Sequence, residues 1–170
     1  MGRLESSAKH GTRGVLVVPV GEVLFGARVE DVAGLIEADR LAPLPHQRTP
    51  IAGIVAFRGD MVPALDFCAY LDAGPGLCGV SRYAVVLTRG ADRFALLVPA
   101  MPRLVPGREL REGTQAFGDS ELKDLIDCVY ETGGAPIHCL RYWSIFDSVI
   151  PPNGVTRRAG DEQQREVGHV

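Results

Sequence analysis

The chain has 170 residues and a formal net charge of −3 at pH 7, with 46% hydrophobic and 23% charged residues. This composition is typical of a globular protein of one ordinary or two small domains, and it excludes collagen-like, disordered and membrane-spanning classes. A negative net charge does not favour binding to nucleic acid, whose phosphates are negative as well. The first apolar run, Val15 to Val18, stops at Pro19 and is far shorter than the roughly 20 residues of a membrane helix. We therefore expect a cytoplasmic protein with no direct membrane insertion.

Short apolar runs between glycine turns predict strands in the first half of the chain. These strands are residues 14–20, 23–29, 51–57 and 61–65. Between the second and third strands, Val32, Leu35 and Ile36 have helical spacing behind two acidic residues, which predicts a helix over 30–36. Asp66 is expected to cap a short helix that covers the next five residues.

The second half repeats this plan. It predicts strands at residues 83–88, 93–98, 125–130 and 136–140, a proline-rich apolar segment at 99–107, a loop at 108–124 and a closing helix at 143–150. Residues 25–29 resemble 94–98 at an offset of 69, and residues 62–67 resemble 136–142 at an offset of 75. Short strands in two related halves indicate two small barrels. Residues 1–13 and 152–170 lack an apolar pattern, so we expect disordered tails around a domain at 14–151.

The patterns that would indicate catalysis are weak. No glycine-rich phosphate-binding motif occurs. His138 and Cys139 are strand neighbours and would face opposite ways, so they could not share a metal ion. Acidic pairs such as Glu30 and Asp31 are explained by the start of the predicted helix. We expect no enzymatic activity, no metal and no cofactor.

The four cysteines are at positions 68, 78, 128 and 139, and no two of them form a C-x-x-C motif. This spacing favours four reduced, mostly buried thiols rather than a zinc site or a disulfide framework. Cys78 lies in a glycine-rich segment, and we expect it to be exposed and open to modification.

The segment from Pro50 to Asp66, PIAGIVAFRGDMVPALD, closely resembles the signature of the CheW-like family. That signature is a glycine after an apolar residue, an aromatic-Arg-Gly turn, and a strand with proline that ends in aspartate. Residues 21–32, Leu44-Pro45 and residues 93–104 fit further parts of the family pattern, so the resemblance covers about residues 14–150.

The resemblance implies two intertwined five-stranded barrels, similar to SH3 barrels, around a shared core with short helices. It implies a non-enzymatic adaptor that couples the cytoplasmic helical tips of chemoreceptors to the regulatory domain of a CheA-type histidine kinase. Such a protein is recruited to membrane-bound receptor arrays. Carried over by motif, the receptor-binding residues are Val32, Leu35, Leu41, Gly53, Arg58 and Gly59. The kinase contact is expected mostly on the second barrel.

The sequence also departs from the family pattern. Gly34 stands where the family often has a glutamate that pairs with the motif arginine, and Glu37 or Glu30 could substitute for it. Such departures favour a specialised system, such as surface sensing or twitching motility. The charge of Arg58, after an apolar strand, must pair with a carboxylate in the fold or contact a partner, and the sequence leaves both open. The cysteines motivate an alternative: a standalone ligand-sensing or thiol-dependent module on the same fold.

Overall fold

The computed structural model describes residues 11–45, 50–72, 83–114 and 121–150. The predicted tails lie largely outside these ranges. The strands are β1 Gly14–Val20, β2 Val23–Arg28, β3 Val32–Glu37, β4 Ile51–Phe57, β5 Asp60–Asp66, β6 Tyr83–Arg89, β7 Asp92–Val98, β8 Arg103–Pro106, β9 Arg111–Glu112, β10 Ile126–Thr132 and β11 Ala135–Leu140. The helices are α1 Phe67–Leu71 and α2 Tyr142–Val149, with 3-10 turns at Val29–Asp31, Gly107–Glu109 and Glu121–Leu125. The expected mostly-β class with short helices is confirmed.

The strands form two curled sheets that exchange parts of the chain. We call the sheet with strand order β3-β6-β7-β5-β4 the first barrel. The sheet with order β8-β1-β2-β11-β10-β9 is the second barrel. The N-terminal hairpin β1–β2 therefore belongs to the second barrel, and β6–β7 belongs to the first, which confirms the intertwined arrangement. The predicted five strands hold for the first barrel, whereas the second gains the two-residue strand β9 as a sixth.

The internal repeat appears in the structure as two equivalent parallel strand pairs. In the second barrel β11 runs parallel to β2, with Cys139 beside Gly26. In the first barrel β5 runs parallel to β7, with Ala64 beside Ala95. The offset of 69 carries Gly26 onto Ala95, and the offset of 75 carries Ala64 onto Cys139. The repeat predicted from the sequence therefore relates the same residues that the two registers pair.

A shared hydrophobic core lies between the barrels and takes side chains from both. Phe67 of α1 and Tyr142 of α2 are equivalent under the 75-residue offset, and their ring centroids lie 6.0 Å apart. Phe25 of β2 packs edge-on against Phe67 at 5.1 Å. Each barrel also has a smaller core of its own, lined by Val55, Phe57, Val62, Ala84 and Ala95 in the first, and by Val15, Val17, Val105, Ile137 and Cys139 in the second. Because the large aromatic residues sit between the sheets, the barrels stabilise each other.

The helix predicted over 30–36 is wrong, because this segment forms a 3-10 turn followed by strand β3. Strand β3 pairs with β6 and carries an irregular register between Val32 and Gly34. This bulge shifts the alternation of faces, so apolar residues recur at a spacing that imitates a helix. Gly34 is needed in the strand, since a Cβ there would lie 2.8 Å from the Phe57 ring.

Strands β8 and β9 were not predicted from the sequence. Prolines surround β8, and it lies at the edge of its sheet, the position where a missing amide hydrogen is tolerated. Strand β9 interrupts the expected loop at 108–124, of which residues 115–120 lie outside the described ranges. The predicted cap of α1 is confirmed, because the Asp66 side chain accepts a hydrogen bond from the Ala69 amide at 3.0 Å.

Candidate partner-binding site

The tip of the β4–β5 hairpin is a two-residue turn formed by Arg58 and Gly59. Phe57 and Asp60 pair across its base. The two turn residues have φ angles of 51° and 86°. A right-handed strand twist favours such turns, and they suit glycine because both φ angles are positive. Arg58 therefore holds a bulky side chain in the left-handed region, which costs about 1 kcal/mol in an L-residue.

The charge of Arg58 points to solvent rather than into an ion pair. Its guanidinium lies 5.0 Å from the centroid of the Phe57 ring. The carboxylate of Asp60 instead binds Arg93 at 2.5 Å. Glu30, one expected partner, accepts a hydrogen bond from the Arg13 amide at 2.7 Å. Within the described part of the chain Arg58 forms no ion pair with Glu37 or with any other carboxylate. Of the two alternatives left open by the sequence, this favours a contact with a partner over an ion pair in the fold.

Gly53 lies at the seam where the first barrel closes. The seam is an exchange of two backbone hydrogen bonds of 2.9 Å between Ala42 and Ile54. Gly53 has a φ of +148°, and a Cβ there would lie 2.6 Å from the Ala42 carbonyl oxygen and 3.3 Å from the Leu41 Cβ. Glycine is therefore required for the two chain segments to approach. This seam brings Leu41 directly beside Gly53.

Two of the predicted residues expose apolar surface. Leu35, on the outer side of β3, is 36% exposed, and Leu41 is 37% exposed. Val32 instead is partly buried against the shared core. The turn residues lie at the opposite end of β4 from Gly53, about 15 Å away at the usual rise of a strand. The predicted residues thus form two groups in the first barrel. Leu41 and Gly53 lie together at one end of β4, and Arg58 and Gly59 lie together at the other.

Sequence reasoning missed three exposed methionine and leucine side chains. Met61 follows the turn on β5 and is 65% exposed. Met101 and Leu104, next to and on β8, are also largely exposed. Strand alternation could have found Met61, because its neighbour Val62 faces the barrel core.

Sequence reasoning also missed a pair of thiols in the second barrel. Cys128 of β10 and Cys139 of β11 are directly opposite one another, and both are free. The two-residue turn at Gly133 and Gly134 could have revealed the pair, since counting outward from it gives this register. The expectation of four reduced thiols is wrong at Cys68, which is disulfide-bonded. Spacing alone cannot show which cysteines the fold brings together, and Cys78 lies outside the described residues.

Comparison with known proteins agrees with this architecture. The sequence model of the family described as "CheW-like domain" matches residues 14–149. The chain belongs to the CheW-like family. It is 33% identical over 60 residues to Protein FrzA of Myxococcus xanthus, a match that spans 35% of this chain and 38% of FrzA.

The fold is similar to that of a solved CheW-like structure. The crystal structure of the scaffolding protein TtCheW from Thermoanaerobacter tengcongensis superposes with a TM-score of 0.62 and 16% sequence identity. The superposition covers 76% of this chain and 89% of TtCheW. The predicted pair of SH3-like barrels is therefore confirmed. In the described ranges, none of the helices has the length and apolar character needed to cross a membrane.

The family model also tests the resemblance found from the sequence. The resemblance at the Arg-Gly turn of β4 and β5 is confirmed over nearly the whole folded part.

Proposed function

We propose that this chain is a non-enzymatic adaptor that couples methyl-accepting chemoreceptors to a CheA-type histidine kinase. The observation that carries the proposal is Arg58, a solvent-facing cation held at positive φ on a hairpin tip. Glycine would fit this turn without strain, so folding alone does not favour arginine there. A residue that strains the backbone, as Arg58 does, is expected at a position where its side chain binds a partner.

The receptor contact is proposed on the first barrel, at Val32, Leu35, Leu41, Gly53, Arg58 and Gly59. Leu35 and Leu41 would supply the apolar anchors that a helical hairpin needs, and the seam at Gly53 fixes the position of Leu41. Arg58 would bind a carboxylate or a helix C-terminus of the receptor tip. Apolar anchors with one flanking charge are the usual composition of a helix-in-groove interface.

The kinase contact is proposed mainly on the second barrel. Met101 and Leu104 give this barrel exposed apolar surface of its own, at a distance in sequence from the receptor-binding residues. With both contacts made, the protein would be recruited from the cytoplasm to membrane-bound receptor arrays by its partners. Separate surfaces on two barrels would allow one chain to hold both partners at once.

Size-exclusion co-elution tests this proposal. The chain is mixed with the regulatory domain of a CheA-type kinase from its own genome, with and without a receptor cytoplasmic fragment. Arg58→Glu is expected to weaken receptor binding about tenfold or more, because the charge at the tip is reversed. Arg111→Glu, an equal charge reversal at an exposed position of β9, is the control and should retain receptor binding.

The outcomes separate function from stability. Arg58→Gly removes the side chain and also relieves the strained φ, so it should fold at least as well as the wild type yet bind receptor weakly. Full receptor binding by both Arg58 variants would contradict the proposed role of Arg58. Failure to bind any CheA-type regulatory domain or receptor fragment would contradict the coupling function.

A further inference from the structure

Cys128 and Cys139 form a pair whose geometry suits a disulfide. The Val129 carbonyl accepts a hydrogen bond from the Gly113 amide of the β9 side at 2.9 Å. The peptide groups of the preceding residue, Cys128, therefore face β11, which makes Cys128 and Cys139 a hydrogen-bonded pair with Cα atoms about 5.5 Å apart. Disulfides form at Cα separations of about 4.4 to 6.8 Å. The two sulfurs can therefore be joined without moving the strands apart.

The two thiols differ in access. Cys139 is only 2% exposed and points into the core of the second barrel, where its sulfur lies 3.0 Å from the position of a Cβ on Gly26. Cys128 is partly exposed. Cys128 packs against the edge of the same core cluster and is the more exposed of the two, so it is the thiol that a small oxidant would meet first.

Charged and polar groups surround the outer thiol. Arg28 of β2 forms ion pairs with Asp127, which precedes Cys128, and with Asp31. The thiol hydrogen bond from Cys139, the Arg28 guanidinium and a hydrogen bond from Tyr130 lower the pKa of Cys128 to about 7, against the effects of burial and of Asp127. The same hydrogen bond and burial raise the pKa of Cys139 well above its usual range. The two pKa values move in opposite directions, so Cys128 is the thiol of the pair that ionises first.

We propose that Cys128 and Cys139 are a thiol-oxidation site, in which Cys128 reacts with a hydroperoxide and Cys139 resolves the product as a cross-strand disulfide. An accessible thiolate beside a second thiol is the arrangement that reversible thiol oxidation requires. This chemistry is separate from the proposed receptor contact, because Cys128 and Cys139 lie on β10 and β11 and not in the receptor-binding set.

The reaction proceeds in two steps. The Cys128 thiolate attacks one oxygen of hydrogen peroxide, the O–O bond breaks, and the products are Cys128 sulfenic acid and hydroxide, which takes a proton to become water. The Cys139 sulfur then attacks the Cys128 sulfur. The S–S bond forms, and the departing hydroxide combines with the Cys139 proton as a second water. Two thiols thus lose two electrons and two protons, and one peroxide is reduced to two waters.

Differential alkylation tests the proposal on the full chain. The protein is treated with stoichiometric hydrogen peroxide, unfolded in guanidinium and alkylated with iodoacetamide, so that the buried Cys139 is also accessible. It is then reduced and labelled with N-ethylmaleimide for peptide mass spectrometry. We expect the second label at positions 128 and 139 together. Cys139→Ser should leave a sulfenic acid at Cys128 that dimedone traps, and Cys128→Ser should leave Cys139 reduced. Iodoacetamide labelling of both thiols after peroxide would overturn the proposal.

The pH dependence of alkylation gives a second measurement that needs no cysteine variant. In the native wild type, Cys128 should reach half its maximal alkylation rate near pH 7, whereas an ordinary thiol does so near about 8.5. Arg28→Gln should move this midpoint upward, because the cation is removed and Asp127 remains. Arg40→Gln, at an exposed position outside the second barrel, is the control and should leave it unchanged. A Cys128 that reacts no faster than Cys139 would overturn the proposal.

Discussion

The β4–β5 hairpin of the first barrel and the β10–β11 hairpin of the second are related by the 75-residue offset, and their backbones agree closely. Each first strand carries an irregular register at the same place, after Ile51 in one and after Ile126 in the other. The turn residues have φ angles of 51° and 86° in the first hairpin and 56° and 80° in the second. The two turns therefore make the same conformational demands on their residues.

The side chains differ at two of these matched places. The second hairpin turns on Gly133 and Gly134, whereas the first has Arg58 before its glycine. Beside the bulge, the first barrel has Gly53 and the second has Cys128. In the turns the backbones are equal, so folding does not explain why Arg58 stands where the second hairpin has a glycine. Beside the bulge they differ, because Gly53 has a φ of +148° and a Cβ there would lie 2.6 Å from the Ala42 carbonyl oxygen. From Arg58 we infer a partner contact in one barrel, and from Cys128 thiol chemistry in the other.

The largest expected effect tests whether the barrels unfold as one. Phe67 is fully buried between Phe25 and Tyr142. Phe67→Ala should lower the free energy of unfolding by about 3–5 kcal/mol, because it leaves a cavity in the shared core. Tyr142→Phe, at the equivalent position, removes only the hydrogen bond to the Gly26 carbonyl and should cost about 1–3 kcal/mol. Urea denaturation measures both, and two separate unfolding transitions would contradict a shared core.

A smaller effect concerns the parallel strand pair of the second barrel. Gly26→Ala should cost about 1–3 kcal/mol, because its new Cβ would lie 2.6 Å from Val15 Cγ1 and 2.7 Å from Ile137 Cγ2. Val15→Ala removes the closest of these atoms. The double variant should therefore lose less stability than the sum of the single variants. Additive losses in thermal or urea unfolding would show that Gly26 is not limited by packing.

The smallest effect exchanges the hairpin turns. Arg58→Gly should raise the free energy of unfolding by about 0.5 kcal/mol, since relief of the positive φ exceeds the extra entropy of glycine in the unfolded chain. Gly133→Arg places the same side chain in the matching turn and should lower it by a similar amount. Guanidinium titrations of the two variants and the wild type would measure these shifts. A destabilised Arg58→Gly would show that Arg58 supports the fold through contacts.

The local parts of the fold could be predicted from the sequence. Glycine turns and short apolar runs gave the positions of β1, β4 and β5, and Asp66 indicated the cap of α1. Strand β3 was mistaken for a helix, because a bulge gave its apolar residues a helical spacing. The exchange of β1–β2 for β6–β7 between barrels could not be predicted from patterns, since it depends on pairings between distant segments.

The candidate site was predictable to a different extent. The motif identified Arg58, Gly59 and Gly53, and their use by a receptor stays a prediction. Exposure of Leu35 depends on the strand faces of β3, which the helix prediction obscured, whereas strand alternation on β5 indicates that of Met61. The pairing of Cys128 with Cys139 follows from the register set by a turn that the sequence indicates, whereas the spacing of the cysteines alone does not show it. Local chemistry was therefore easier to predict than neighbours in space.

The exchange of hairpins between the barrels also sets an order of assembly during synthesis. The ribosome releases the N-terminus first, so β1 and β2 emerge early, with one edge of β2 unpaired. That edge stays unpaired until β11 has been synthesised. The Tyr142 hydroxyl, which donates a hydrogen bond to the Gly26 carbonyl, lies 116 residues further along the chain. All strands of the first barrel have emerged once Val98 has been released. The first barrel can therefore close while translation continues, and the β1–β2 hairpin, made before the other strands of this domain, is among the last to be completed.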